Sequence, residues 1–537
     1  MTENNTIDKS QSKKFQLSTG QKALWFLHKL YPQSPVYNIC RAVEINADLN
    51  YDLFKKTFEL LVERHEILRT VFSYEDNTNY QIVKSQIETD IKIFDVTDKD
   101  DDFIDELMYN ESIIPFDLEK APLFRISIFT KSPTKHIVLF NFHHIIADLW
   151  SLAILIKEYG IIYDAYVENK SPDLPLPSFD YSEYVYDESR FLDSEEASRM
   201  LNFWKDYLRG ELPILTFKSQ RSNSGADNYL GGSVSLRVGV SETSDLKKLS
   251  KRSGTNIFTL LLTSFHILLY KFTNQQEIII GTSKSGRRRN SINTVGYFVN
   301  SIPIRAKLNP DMIFVEFLDI VNNTIIETSK NDRYPFSLLV ENVQPIRDTN
   351  KTPVYQTFFT MQKTTRMGNG DGLSFLSIGE SGGEMLWGKN PVVTKGLKNR
   401  IVPFDLTLLV SETNDDLLVS IQYNSSTFSE EFSQQMVNSY ICLLHDIIEN
   451  PMKMIKDISV LRFDDIKALL SSQSLLAPSE SEEKTVIDYF EDQVDKSPDS
   501  PAIIYNDQFI SYDELNSKAN KLAIDLIDLG IGPEKRV

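Results

Sequence analysis

The chain has 537 residues, with 57 Lys or Arg against 75 Asp or Glu, and so carries a formal net charge of -18. That acidity argues against broad nucleic-acid binding, which needs clustered cations facing phosphates, and no run of uncharged apolar residues is long enough to span a bilayer. Hydrophobic residues make up 41% and charged residues 25%, a globular balance with room for about three folding units at roughly 100–200 residues each.

The first segment, MTENNTIDKSQSKKF, lacks the charged-then-apolar order of a secretory signal, and residues 1–15 read as a flexible N-terminus. Leu17 to Lys29 reads as a helix start, with Ser18 as N-cap ahead of Leu24, Trp25, Phe26 and Leu27. A strand at Ala42–Ile45 and a helix from Tyr51 to Arg64 follow. Leu123–Ile128 and His136–Phe142 have the length and β-rich composition of strands, and Leu149 to Tyr166 reads as a helix. A second block of the same mixed kind runs from about Phe179 to Asn450, so the expected class is α/β. The basic run Arg287–Arg288–Arg289 reads as a solvated loop. From Leu469 to Lys484 the chain is polar and serine-rich, as a linker is. The two cysteines, Cys40 and Cys442, are too far apart for a disulfide framework or metal spacing, so a reducing cytoplasm is the expected compartment.

Chemistry concentrates at His143-His144-Ile145-Ile146-Ala147-Asp148, where a strand ends and a helix begins. Successive strand side chains point to opposite faces, so His143 and His144 cannot both enter one cavity: one acts and the other supports. Asp148 stands where the free amides of a helix's first turn favour a carboxylate. A packed, hydrogen-bonded histidine pair with no catalytic role is the plainer alternative, and the local residues alone leave it open.

The surrounding motifs decide between them. HHIIADLWS resembles the HHxxxDG signature of nonribosomal peptide synthetase condensation domains. LSTGQKALWFL (Leu17 to Leu27) resembles that family's opening motif, RHEILRTVF (Arg64 to Phe72) its second, and VGYFVNSIPIR (Val295 to Arg305) its VGxFVNT stretch. NDRYPFS (Asn331 to Ser337) and Arg347-Asp348 are similar to later elements, in the family's order. The resemblance implies two lobes, each like chloramphenicol acetyltransferase, forming a V-shaped pseudo-dimer around a central tunnel, with lobes at 16–175 and 176–455 and a linker at 456–485. ISYDELNSKANKLAIDLIDLGIGPEKRV (Ile510 to Val537) resembles the first core motif of adenylation domains, so 486–537 is read as the truncated start of one, too short to build its core or bind a nucleotide.

By resemblance the reaction joins a carrier-bound acyl or peptidyl thioester to the amine of a carrier-bound aminoacyl acceptor. His144, the motif's second histidine, then handles the amine proton, with His143 beside it, and Asp148 holds the loop through a buried ion pair with Arg287 or Arg305. The family's glycine after the aspartate is Leu149 here: a tolerated variation in helix packing is the plainer reading, and the functional one makes Leu149 and Trp150 candidates for shaping the tunnel toward a fatty acyl or polyketide-type donor. The resemblance implies no cofactor or metal bound by this chain. Phosphopantetheine arms arrive on donor and acceptor carrier proteins, the donor's expected on another polypeptide, and an adenylation domain is the expected downstream neighbour. No nucleic acid or membrane partner is expected.

The opening motif lacks the SPMQEGMLFH character of domains that take donors ending in a D-residue, and resembles the L-donor or starter type. Heterocyclisation domains carry DxxxxD in place of the two histidines, and VGYFVNSIPIR resembles the condensing rather than the epimerising form. Two other readings stand beside it: a starter-type N-acyltransferase that uses acyl-CoA, and a non-catalytic carrier-docking module, against which the complete histidine motif argues. Leu230-Gly231-Gly232-Ser233 is one residue short of a carrier's LGGxS site and continues as an alternating strand. Gly281-Thr282-Ser283-Lys284-Ser285 lacks the final glycine of a nucleophile elbow, and no GxxxxGK[ST] loop is present.

Overall fold

The computed structural model describes residues 13–177, 179–217, 229–343, 352–363, 371–398, 400–461, 485–505 and 508–532. One compact unit runs to Leu461 and a second begins at Arg462. The first unit continues past the expected boundary at residue 455 because Ile455 and Ile458, both at most 2% exposed, belong to its core.

The first unit holds two large sheets. In the first, the strands run Glu384–Trp387, Asn390–Lys395, Asn38–Ile45, Lys135–His143, Phe124–Ser132 and Ile91–Asp95. The helices Tyr51–Arg64 and Leu149–Val167 supply the apolar stripe that covers one of its faces, through Phe54, Phe58, Leu61, Leu152, Leu155 and Tyr159. In the second sheet the order is Val299–Lys307, Glu277–Ser285, Thr357–Lys363, Leu406–Glu412, Leu417–Asn424, Leu230–Val238 and Arg400–Ile401. Ile257–Thr273 and Glu430–Glu449 pack into its core. The segment that begins with Leu230-Gly231-Gly232-Ser233 is a strand, with Gly232 opposite Tyr423.

Two expectations need correction. Lys13–Gln16 is not a flexible tail: it pairs antiparallel with Thr78–Val83, Lys13 opposite Val83, and Phe15 packs at the edge of the first core. The second half of the chain also does not keep to its own lobe. The hairpin Glu384–Trp387 and Asn390–Lys395 crosses over and extends the first sheet, Val393 pairing with Glu44. Trp387, 3% exposed, anchors it against Tyr159 at 4.0 Å between ring centroids and edge-on to Phe140 at 5.4 Å. Burying an indole stabilises the crossing by about 3–5 kcal/mol. The hairpin turn takes Gly388 at φ +63°, a left-handed conformation that suits glycine, and its backbone lies so close to Gly160 that a Cβ there would sit 2.5 Å from the Gly388 nitrogen.

In the second unit, the helix Val486–Lys496, capped by Thr485, precedes a hairpin of Pro501–Tyr505 and Gln508–Ser511 and the helix Tyr512–Asp528, capped by Ser511. Ile504 is 72% and Leu529 77% exposed, so apolar surface stays uncovered. Most of the expected linker, the first twelve residues and Arg347-Asp348 lie outside the described residues.

Candidate active site

The strand Lys135–His143 ends at the first sheet's edge of the interlobe seam, and the chain turns through 144–147 into the helix Leu149–Val167. The turn is braced from three sides. The His144 amide still donates to the Tyr37 carbonyl at 2.8 Å, continuing the strand pairing. Gln21, fully buried in the capping box of the Thr19–Leu30 helix, donates from Nε2 to the Ile145 carbonyl at 3.1 Å. His143 itself, 4% exposed, packs beside Tyr37 and Phe116 and accepts the Ile145 amide at Nδ1, 3.1 Å away. Burial, with the His144 charge second, pushes the His143 imidazole down to about 3, so it stays neutral and serves as a packed support.

His144 is half-buried and faces the second lobe. Its ring stands edge-on to Tyr297 at 5.1 Å between centroids and 89° between planes. Nδ1 lies 2.8 Å from the Ala147 carbonyl oxygen. A carbonyl only accepts, so Nδ1 carries the proton and Nε2 presents its lone pair. Nε2 has no hydrogen-bond partner among the described residues. Burial lowers the His144 pKa below the usual histidine value, against the opposing influence of Asp148 and the Ala147 carbonyl, which keeps that lone pair free at neutral pH. Burial holds the Tyr297 phenol well above its ordinary value, so it remains a hydroxyl.

Asp148 is the N-cap of the motif helix: Oδ1 accepts the Ser151 amide and the Ser151 hydroxyl, both at 2.8 Å. Oδ2 meets Arg287 Nη1 in an ion pair whose side chains are 1% and 2% exposed. Arg287 Nη2 donates to Ser151 Oγ at 2.8 Å and to the Thr294 carbonyl at 3.0 Å, and the guanidinium lies 4.2 Å from the centre of the Phe298 ring. Ser151 Oγ accepts the Gly296 amide at 3.0 Å and lies 2.9 Å from the Gly296 carbonyl. A carboxylate on the first lobe and a guanidinium on the second therefore pin together the histidine loop and the VGYFVNS segment that carries Tyr297.

This assigns the arginine. Arg305 is not Asp148's partner: it pairs with Glu277 at 2.7 Å and donates to the Arg209 carbonyl. The basic run is not uniformly a solvated loop either, since Arg287 turns inward while Arg288 remains 49% exposed. Trp150 donates from Nε1 to the Ile292 carbonyl at 2.8 Å and so spans the seam, whereas Leu149 packs at the edge of the first core. Asn300 accepts the Phe336 amide at 2.9 Å and donates to the carbonyls of Asp332 and Tyr334, which ties NDRYPFS to the same seam. Tyr297, Ser151 and Gln21 were not singled out from sequence, although each lies inside a quoted motif. Among the described residues no His, Cys, Asp and Glu cluster could hold a metal ion.

A protein-family comparison matches the condensation domain over residues 11–470. The chain belongs to the condensation-domain family. Tyrocidine synthase 3 of Brevibacillus parabrevis is 30% identical over 524 residues, covering 97% of this chain and 8% of its own length. Surfactin synthase subunit 1 of Bacillus subtilis is 29% identical, covering 97% of this chain and 14% of its own. The chain thus spans about a tenth of the curated relatives it matches. The structure of holo-AB3403, a four-domain nonribosomal peptide synthetase bound to AMP and glycine, superposes with a TM-score of 0.80 at 22% identity, over 98% of this chain and 40% of that one. The condensation domain therefore has the two-lobed α/β fold that its sequence implied.

Proposed function

We propose that this chain forms amide bonds between an acyl or peptidyl thioester donor and an aminoacyl acceptor, each brought to the seam on the phosphopantetheine arm of a carrier protein, within a nonribosomal peptide synthetase. The observation that carries this reading is the fixed tautomer of His144, whose Nδ1 is tied to the Ala147 carbonyl and whose unencumbered Nε2 is a ready proton acceptor. The acceptor nitrogen attacks the thioester carbon, the C–N bond forms and the C–S bond breaks. The ammonium proton passes to Nε2 and from there to the departing thiolate, so no covalent enzyme intermediate is needed. Holding two tethered reactants in register contributes most of the rate, because it replaces a bimolecular encounter by an intramolecular one, worth ~7–11 kcal/mol at best. Proton handling by His144 adds ~10²–10⁴.

The second unit fits the start of an adenylation domain, and a reducing cytoplasm fits a chain in which Cys40 and Cys442 form no disulfide. No single helix among the described residues is long and apolar enough to cross a membrane; the bent pair Val240–Arg252 and Ile257–Thr273 meets that test by length and composition alone, and the second of the two lies in the core.

The test is a single-turnover assay with donor and acceptor carriers both loaded. His144→Ala should lower the rate by at least ~10²-fold with the melting temperature kept, and an unchanged rate refutes the assignment. Running acyl-CoA beside the loaded donor carrier identifies which thioester the domain takes.

A further inference from the structure

The imidazole of His144 makes one hydrogen bond among the described residues, from Nδ1 to the Ala147 carbonyl at 2.8 Å. One bond fixes a point on the ring and leaves its plane open, because the χ2 torsion of histidine has a broad well. A second contact is needed to aim Nε2. Among the described residues the only ring in contact with His144 is that of Tyr297 on the second lobe, perpendicular at 89° and 5.1 Å away between centroids. An edge-on pair has a preferred angle, so it supplies the orientation that the single hydrogen bond lacks.

Tyr297 is itself fixed through its backbone. Its carbonyl accepts the Tyr181 hydroxyl at 2.6 Å, and Tyr181 Oη lies 3.0 Å from Ser18 Oγ, the N-cap of the helix Thr19–Leu30. The amides on either side are also taken: Gly296 donates to Ser151 Oγ at 3.0 Å and Phe298 to Asp148 Oδ2 at 3.4 Å. The phenol oxygen has no hydrogen-bond partner among the described residues. Packing alone therefore places the ring.

That packing has a cause in the sequence. Gly20 lies in the first turn of the helix Thr19–Leu30, and a Cβ on it would come 2.5 Å from Tyr297 Cε1 and 3.1 Å from Cδ1. The tyrosine ring thus occupies the space that a side chain at position 20 would fill. Alanine suits a helix better than glycine does, so the glycine serves here to make room for the ring. Tyr297 therefore touches two parts of the first lobe, Gly20 in one helix and His144 at the strand end.

We propose that Tyr297 is a positioning residue of the condensation site: its ring, seated in the room that Gly20 leaves, holds the His144 imidazole in one plane and so aims Nε2 at the acceptor nitrogen. The second lobe thereby controls the aim of a group carried by the first. The consequence for turnover rests on the proton-handling reading of His144, whereas the hold on the ring is measured without substrate. The full chain is labelled with carbon-13 at histidine Cε1, and His144→Ala identifies the His144 signal among the seven histidines. The order parameter of that C–H reports the freedom of the ring. The same variants are run in the single-turnover assay with both carriers loaded, and their Tm is measured.

The wild-type signal should be that of a rigid group, with an order parameter of ~0.85, and should fall below about 0.6 in Tyr297→Leu. Condensation by Tyr297→Leu should drop roughly 10–100-fold, because a misplacement of about 1 Å costs up to ~10² in rate. Tyr297→Phe keeps the ring and should restore both readouts, the rate to within a few-fold of wild type. Gly20→Ala displaces the ring without removing it, so it should shift the His144 signal and slow the reaction about tenfold, and it serves alone if the leucine variant does not fold. Added to Tyr297→Leu, where the ring is already gone, it should cost less than about twofold more. An equally rigid His144 ring in Tyr297→Leu, or an unshifted signal in Gly20→Ala, overturns the proposal. So does a Tyr297→Phe rate as low as that of Tyr297→Leu, which gives the work to the hydroxyl. A ring that loosens with no change in rate, joined by an unchanged rate in His144→Ala, upholds the hold on the ring and refutes the proton-handling reading instead.

Discussion

Removing Asp148 should damage the fold before it damages the chemistry. In Asp148→Ala the Arg287 guanidinium, 2% exposed, loses its only ion pair among the described residues, and breaking a buried pair from one side costs about 3–5 kcal/mol. The cap of the motif helix goes as well, because Oδ1 no longer accepts the Ser151 amide, adding about 0.5–2 kcal/mol. Asp148→Asn keeps the cap and forfeits the charge, so it should fall between alanine and wild type. At ~2.1 cal/mol/K per residue, a unit of this size has an unfolding entropy of roughly 1 kcal/mol/K, and each kcal/mol moves Tm by only about 1 °C. Tm alone is therefore a blunt readout. Hydrogen exchange at the Gly296 and Phe298 amides, which bond to Ser151 Oγ and Asp148 Oδ2, is the local one. The expected result is a Tm drop of about 3.5–7 °C with accelerated exchange at those amides, and a somewhat smaller drop in Arg287→Ala, which keeps the cap. Full stability and unchanged exchange with activity lost would refute the structural role and make Asp148 a participant in the reaction.

The depressed His144 pKa sets a direction in pH: the imidazole must be unprotonated to act, so the rate of the preloaded complex should hold from about pH 8 down to about 6.5 and fall only below it. An acid limb centred above 6.5 would mean that burial does not govern the group. Gly160→Ala drives a Cβ into the Gly388 backbone, 2.5 Å from its nitrogen, and should loosen the crossing hairpin by about 1–3 kcal/mol, read as faster exchange over Asn390–Lys395; unchanged exchange would show that the contact gives way freely. If Leu149 tunes the donor, Leu149→Gly should shift the preference between fatty acyl and aminoacyl carrier donors by up to ~10–200-fold. A ratio that stays within about twofold, with only a lower Tm, leaves Leu149 as packing.

Interactions between near neighbours in the chain were legible from residue order. The Ser18 cap, the Tyr51–Arg64 helix and the strand, turn and helix around His143 to Asp148 are written in local spacing and capping chemistry, because i to i+4 hydrogen bonds and alternating strand faces involve residues that are close in sequence. The motifs gave the family for the same reason, and strand alternation put His143 and His144 in different surroundings, His143 buried and His144 half-buried. Tertiary structure alone chose Arg287 over Arg305, since both arginines lie in the matching region and only the packing of the seam brings one of them to Asp148. It also carried the hairpin of Glu384–Trp387 and Asn390–Lys395 across to the first sheet, a pairing whose register depends on which open edge the folded lobes present. The contacts around Trp387 lie furthest from sequence: Tyr159, Phe140 and Trp387 come from a helix, a strand and a crossing hairpin, and their packing is a property of the assembled fold, which no residue's neighbours in the chain encode.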